Sequence, residues 1–388
     1  MSSLAERFQA HFGRQAAVLA EAPGRLEILG NHTDYNEGFV LSCAVRQKVQ
    51  VALAPTGGDL CRLKDFRNGS EKTFRSSEAE TMIRHDWGNY IKGVIVELAR
   101  RNFAVGGFDA ALLSDVPLAA GMSSSAALET AFGLAIGRAF GIDLPKEEWA
   151  RVGRGVENNF LGLHTGLLDQ FSSLFGEEGS LILSDFRKVA VLRSVALPPG
   201  YGIVVVNSMV KHNLVDSEYN TRREDCRSAA EKLAARYPGV TALRDVSPAQ
   251  LEAAKPLLTE QEYHRARHVV GECDRVMRGV AALEAGDAVA FGRLLWESHE
   301  SSRVDFANSS PEQDVLIELS HRVPGCVGAR LSGGGFGGIT VHLVRTEEME
   351  TYGRAVAAGY QQRCGTEPEV IFSAPGAGAS VRALAEKE

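Results

Sequence analysis

The sequence predicts an α+β fold, and three observations carry that prediction. Strand-like and helix-like apolar periods both occur, they mix without the regular β-α-β-α beat of a doubly wound sheet, and no apolar run reaches membrane-spanning length. The 388 residues are 44% hydrophobic and 23% charged, which at roughly 150 residues per domain suggests two domains with a sizeable core. Forty-two Lys and Arg against 49 Asp and Glu give a net charge of −7, which leaves no electrostatic footprint for nucleic acid.

Taken in order, Leu4, Phe8 and Phe12 recur every four residues. This spacing predicts a short amphipathic helix and lacks the apolar core of a signal peptide. Strands are predicted at 17–20, 39–51, 107–113, 181–183, 202–207 and 339–344, the last alternating Ile339, Val341 and Leu343 against Thr340 and His342. Helical periods cover 89–100, 124–140, 146–160, 217–236 and 260–283. Two prolines and a glycine within 193–201 mark a hinge, and the expected division is 1–198 and 199–388. The six cysteines are dispersed with no Cys-x-x-Cys pair, which argues against a zinc site or a disulfide framework and fits a reducing cytoplasm.

Three segments could carry chemistry. Residues 116–129 form a small-residue loop running into a helix whose apolar residues are Leu128, Phe132, Ile136 and Phe140. Such a loop suits phosphate, because the helix start offers unpaired N–H groups and a partial positive charge. A serine-rich N-cap on a buried helix would read the same way. It is neither a Walker A loop nor a G-x-S-x-G elbow. The second segment, 325–338, holds seven glycines and formally satisfies G-x-G-x-x-G, but a strand follows it rather than a helix, and position 358 is Ala. A glycine-rich turn between strands fits better than a dinucleotide fold. The third segment, 21–38, packs Arg25, His32, Asp34, Tyr35 and Asn36 between glycines. This chemistry suits the neighbouring hydroxyls of a polyol; a metal-binding His32–Asp34 pair and a capped polar turn are the alternatives.

Together the three segments resemble a known family. Ala22-Pro-Gly-Arg25 leading to Gly30-Asn-His-Thr-Asp34-Tyr-Asn36 resembles the galactokinase signature, Pro117–Ala127 looks like the phosphate loop of the GHMP small-molecule kinases, and Arg330-Leu-Ser-Gly-Gly-Gly-Phe-Gly-Gly is similar to their third motif. Trp87-Gly-Asn-Tyr, Thr165-Gly-Leu-Leu-Asp169-Gln170 and Ser217-Glu-Tyr219 match in order between them. The resemblance implies a two-lobed GHMP kinase fold, with an N-terminal lobe like ribosomal protein S5 domain 2 and an α+β C-terminal lobe. It implies ATP and Mg²⁺, and phosphorylation of a sugar at its anomeric hydroxyl, most simply galactose to galactose 1-phosphate. It assigns Asp169 and Arg25 to catalysis, and Asn31, His32, Asp34, Gly166, Asp169 and Tyr219 to the sugar. Trp87, Pro117, Leu118, Ala119, Ala120, Gly121, Met122, Ser123, Ser124 and Ser125 fall to the nucleotide, and Ser125 and Glu157 to Mg²⁺. A cytoplasmic monomer or weak dimer with no membrane or nucleic-acid partner is expected.

The chain departs from that pattern at four places. Asn31 stands where the family has Glu, Glu27 where Asn is common, Ser42-Cys43 where Pro-Met is usual, and Ala119-Ala120 where glycines are frequent. A carboxylate only accepts hydrogen bonds whereas an amide also donates, so the group on the sugar's C6 is where specificity could shift, unless Glu27 moves the charge four residues upstream. The alternatives are a kinase for a galactosamine derivative, an arabinose or a uronic acid, and a non-catalytic sensor of sugar and ATP. The unbroken Ser123–Ala127 run beside Arg25 and Asp169 argues against the sensor.

Overall fold

The computed structural model describes residues 2–117, 121–211 and 215–384. The first helix forms as its spacing predicts: α1 (Leu4–Phe12) starts at a reciprocal Ser3–Glu6 capping box and buries Leu4 and Phe8. Seven strands then contribute to one sheet. They are β1 (Val18–Leu29), β2 (Phe39–Pro55), β3 (Leu60–Asp65), β4 (Glu71–Arg75), β5 (Phe108–Ser114), β6 (Ser180–Asp185) and β7 (Ala190–Ala196). Between Ala196 and Tyr201 the chain passes to a second sheet of β8 (Tyr201–Lys211), β9 (Cys326–Leu331), β10 (Gly337–Arg345) and β11 (Glu369–Ser373), ordered β11-β8-β10-β9.

The last strand, β12 (Ser380–Ala383), goes back to the first sheet and covers the edge of β1, with Val381 opposite Ala20. The 199–388 division therefore does not hold for the C-terminal residues, which close an edge of the first sheet that would otherwise present unpaired backbone. The core is shared as well, since Leu26 and Leu29 of β1 belong to one buried cluster with Val276, Phe291 and Ile339.

Helices cover both sheets: α2 (Gly88–Ala99), α3 (Ser124–Phe140), α4 (Lys146–Gly155), α5 (Leu168–Phe175), α6 (Val215–Arg236), α7 (Pro248–Ala254), α8 (Glu260–Glu284), α9 (Ala288–Ser301), α10 (Pro311–Arg322) and α11 (Met349–Cys364). The helix expected over 146–160 is α-helical only to Gly155, and a π-helical turn, Val156–Phe160, then buries Glu157. All six cysteines are free thiols. No helix among the described residues is long and apolar enough to cross a membrane.

The β1–β2 pair prepares the site. Its register slips between Pro23 and Arg25 and again between Glu27 and Leu29. Bulges of this kind re-aim side chains, and here they flank two inward-facing charged residues, Arg25 and Glu27, only 5% and 3% exposed. Gly24 sits at the first slip, where any Cβ would lie 2.6 Å from the carbonyl oxygen of Met122. Glycine is needed there for the loop before α3 to dock on β1, and the Arg25 amide donates to that same carbonyl at 3.1 Å.

The second sheet buries a neutral histidine, His342, between the Thr340 hydroxyl and the Tyr352 hydroxyl, each at 2.7 Å. Burial pushes its pKa down to about 3. The unfolded chain therefore takes up a proton there below about pH 6.5 that the folded chain does not. This contribution is complete above that pH and is lost as pH falls, at about 1.4 kcal/mol per pH unit for one proton. Denaturant melts of His342→Gln from pH 7 to pH 4 should show a shallower acid decline than wild type by that slope; parallel curves would refute it.

Candidate active site

Arg25 joins three elements. Its Nε and Nη2 donate to Oδ1 of Asp169 on the first turn of α5 at 2.8 and 2.7 Å, and its Nη1 donates to the Gly121 carbonyl at 2.6 Å. The other Asp169 oxygen, Oδ2, accepts from the Ser123 hydroxyl. Ser123 is thus not the helix cap that its position allows: its backbone is left-handed, with φ 55°, and its side chain makes no capping bond. The start of α3 keeps its N–H groups free of that partner, as an anion-binding helix start requires. Ser124 and Ser125 follow on the first turn, half-buried. Pro117, Gly121 and Met122 flank the loop, whereas Leu118, Ala119 and Ala120 lie outside the described residues.

Beside Asp169 opens a cavity of about 250 Å³, lined by Arg25, Asn31, His32, Asp34, Gly166, Asp169 and Tyr219, the sugar-side residues expected from the sequence, together with Glu27, Thr165, Gly333 and Gly334. It is smaller than the ~300–1,000 Å³ of drug-sized pockets and suits a small polyol.

The individual side chains are more specialised than their grouping suggested. Asp34 Oδ2 accepts the amides of Leu167 and Leu168 at 3.1 and 3.3 Å, so it caps the helix that carries Asp169. Gly166 is what permits this, because a Cβ there would lie 1.6 Å from that oxygen. His32 uses both ring nitrogens. Nε2 faces the Gly334 carbonyl at 3.1 Å and must donate, so Nδ1 accepts from the Tyr35 hydroxyl at 2.7 Å. Burial pushes its pKa down to about 3, so the ring is neutral. With no nitrogen free, His32 is not available as a metal ligand; it stacks on Phe306 at 4.3 Å and meets Tyr219 at 5.1 Å.

Asn31 is fully buried. Its amide nitrogen donates to Glu27 Oε1 at 2.8 Å and to the Gly333 carbonyl at 2.9 Å, and its oxygen accepts from Asn308 at 3.0 Å. Glu27 in turn meets the wholly buried Arg330 at 3.0 Å. Glu27 stands out in the sequence as a departure that could move the charge four residues upstream, whereas nothing near Asn308 in the chain marks it.

Glu157 is 4% exposed and accepts from the Thr165 hydroxyl. Burial first, and then the charge of Asp169, push its pKa up to about 7. Close by, Gln170 donates to Glu129 at 3.1 Å, and burial followed by the charge of Glu157 raises Glu129 well above the carboxylate range. No group of three His, Cys, Asp or Glu able to hold a metal occurs among the described residues. Trp87 lies at the start of α2, where its indole donates to Ser70 at 3.2 Å and its ring packs partly against the main core.

Comparison with known proteins agrees with this geometry. Residues 6–55 match the galactokinase galactose-binding signature, 89–177 the GHMP kinases N terminal domain and 280–361 the GHMP kinases C terminal domain. A galactokinase of Roseiflexus sp. is 41% identical over 93% of this chain and 92% of its own length, and one of Chloroflexus aggregans is 38% identical over 100% and 99%. The crystal structure of Lactococcus lactis galactokinase complexed with galactose superposes with a TM-score of 0.92 at 30% identity, covering 97% of this chain and 98% of that one. Methanococcus jannaschii mevalonate kinase, at 16% identity and a TM-score of 0.66, shares the fold. With its fold, its three family segments and full-length relatives in agreement, this chain belongs to the galactokinase family of the GHMP kinases.

Proposed function

We propose that this protein transfers the γ-phosphoryl group of ATP to the anomeric hydroxyl of galactose, releasing galactose 1-phosphate and ADP. The observation that carries the reading is the Arg25–Asp169–Ser123 constellation, which joins the loop at the start of α3 to a monosaccharide-sized cavity. Phosphoryl transfer is catalysed mostly by positioning and by stabilising charge on the transferring group. Asp169 Oδ2 accepts a hydrogen bond from the Ser123 hydroxyl; the sugar O1 hydroxyl takes that place, and its proton passes to the carboxylate as the oxygen attacks the γ-phosphorus and the bond to ADP breaks. Arg25 fixes the carboxylate and faces the phosphoryl group from the Gly121 side. The first-turn N–H groups of α3, with Ser123, Ser124 and Ser125, receive the phosphates, and Trp87 borders the adenine.

Glu157 and the Ser125 hydroxyl would hold Mg²⁺. The chemistry of this donor set fits, because a carboxylate whose ionisation is opposed by burial and by Asp169 gains from a hard cation. Two oxygen donors suffice for an ion that keeps its waters and nucleotide oxygens, and such an ion would supply charge neutralisation to the phosphates. Glu27, Asp34 and Asp169 all face the cavity, so an anionic sugar such as a uronic acid is disfavoured, and the intact constellation disfavours a silent sensor.

ADP release measured across a monosaccharide panel, with NMR assignment of the phosphorylated carbon, tests the reading; no release with any sugar would overturn it. Asp169→Asn should lower kcat by at least about a hundredfold while calorimetry still detects ATP and galactose. Gly166→Ala forces Asp34 off the α5 start, so kcat should fall by at least about tenfold; wild-type kinetics would remove Asp34 as the organiser of that helix. Asn31→Glu sets a second carboxylate against Glu27 and the Gly333 carbonyl. It should lower the melting temperature and raise the galactose KM, and adding Glu27→Asn should restore most of both. Additive losses in that double-mutant cycle would refute the exchange.

A further inference from the structure

The turn that carries Asn31 is held from outside the cavity by a single helix. His268 and Glu272 lie one turn apart on α8, and neither has any solvent exposure. One carboxylate oxygen of Glu272, Oε2, accepts both the Gly30 amide at 2.9 Å and the Asn31 amide at 2.8 Å. The Nε2 of His268 faces the Asn31 carbonyl at 3.1 Å, and its Nδ1 faces the Ser301 hydroxyl at 2.9 Å. A carbonyl can only accept, so Nε2 carries the proton. Asn31 is therefore gripped at its own N–H and its own C=O by two side chains more than two hundred residues away in the chain.

This turn needs such support. Gly30 and His32, on either side of Asn31, both have positive φ, 99° and 59°, and for a non-glycine residue that backbone persists only where the surroundings over-determine it. The clamp is itself braced. Arg275 donates to the other Glu272 oxygen at 2.6 Å. Burial opposes ionisation of Glu272, but Arg275 and Arg330 outweigh it and hold the carboxyl below its usual range. Neither His268 nor Glu272 lines the cavity, so an effect on a bound sugar passes through the peptide of Asn31 or, from His268, through Phe306, which lies 4.6 Å from its ring and on which His32 stacks.

We propose that Glu272 and His268 are positioning residues for sugar recognition, fixing the Asn31 peptide so that the Asn31 and His32 side chains form one rigid wall of the cavity. This rests on the reading of that cavity as the sugar site. The α3 loop and Glu157 have no hydrogen bond to either residue among those described, so the clamp acts on the sugar and not on the nucleotide.

Steady-state kinetics of wild type, Glu272→Gln, His268→Leu and His268→Gln test the proposal. Glu272→Gln and His268→Leu should each raise the galactose KM by about tenfold, the scale of one hydrogen bond to a charged or buried group. Their ATP KM and kcat should stay within about twofold of wild type. His268→Gln presents an amide N–H in place of Nε2 and should recover most of the galactose KM. An unchanged galactose KM in both Glu272→Gln and His268→Leu overturns the proposal, as does a parallel loss in ATP KM and kcat. Should Glu272→Gln fail to fold, the contrast between His268→Leu and His268→Gln decides alone. A wild-type enzyme that turns over no sugar overturns the sugar-site reading and this inference with it, an outcome distinct from an active wild type whose variants do not differ.

Discussion

One guanidinium organises the site. Arg25 donates to Asp169 on α5 and to the Gly121 carbonyl ahead of α3, so helix α5 and the loop before α3 are both referred to a single residue of β1. Neither arrangement survives alone. The loop reaches β1 only because Gly24 offers no Cβ, and Asp169 faces Arg25 only because Asp34 caps the helix behind it. Arg25 is itself 5% exposed, and a charge held out of water needs its full set of partners. The same requirement that keeps Arg25 paired fixes the cavity and the loop before α3 in register, which is the condition that the proposed transfer between them needs.

The sequence made these near-site residues legible because their chemistry is concentrated locally. Arg25, Asn31, His32 and Asp34 fall within ten positions, and small-residue loops flag themselves by composition. Their individual tasks were less legible. Ser123 looks like a helix cap in the chain and is a partner of Asp169 in space. Asp34 and His32 look like free polar groups and spend their hydrogen bonds on α5 and on Gly334. The C-terminal half was harder still. The apolar periods of α9 and α10 are interrupted by polar residues that the fold buries, such as Ser298, His299 and Gln313. The β3–β4 hairpin exposes alternate residues of a mostly polar strand. The clamp on Asn31 was invisible because it lies in an ordinary long helix, where only the intrusion of His268 and Glu272 into an apolar stripe of Val269, Val276 and Val280 hints at a second task.

Glu27 and Asn31, where the sequence departs from the pattern it resembles, fit each other. A carboxylate at 27 meets Arg330 and receives the Asn31 amide, and that amide also satisfies the Gly333 carbonyl. The donor-rich side chain thus sits where two acceptors converge, and the acceptor-only side chain sits beside a cation, the pairing that donor and acceptor capacities require. Changing either residue alone leaves a buried group without a partner, so the two positions act as one unit.

Charge within the site also constrains how ATP is held. Glu27, Asp34, Glu129, Glu157 and Asp169 cluster around two buried arginines, Arg25 and Arg330, within a chain of net charge −7. Such a site does not attract a polyphosphate by its summed charge. For the proposed reaction three sources of positive potential remain: Arg25, which lines the cavity, the aligned N–H groups at the start of α3, whose partial charge acts only at close range, and a cation that would arrive with the nucleotide. The Glu129 and Glu157 carboxyls are raised first by burial and then by the neighbouring carboxylates. On the proposed reading, a nucleotide that brought its own divalent ion would supply what the protein lacks, and recognition of the phosphates and ionisation of the buried acids would be favoured together.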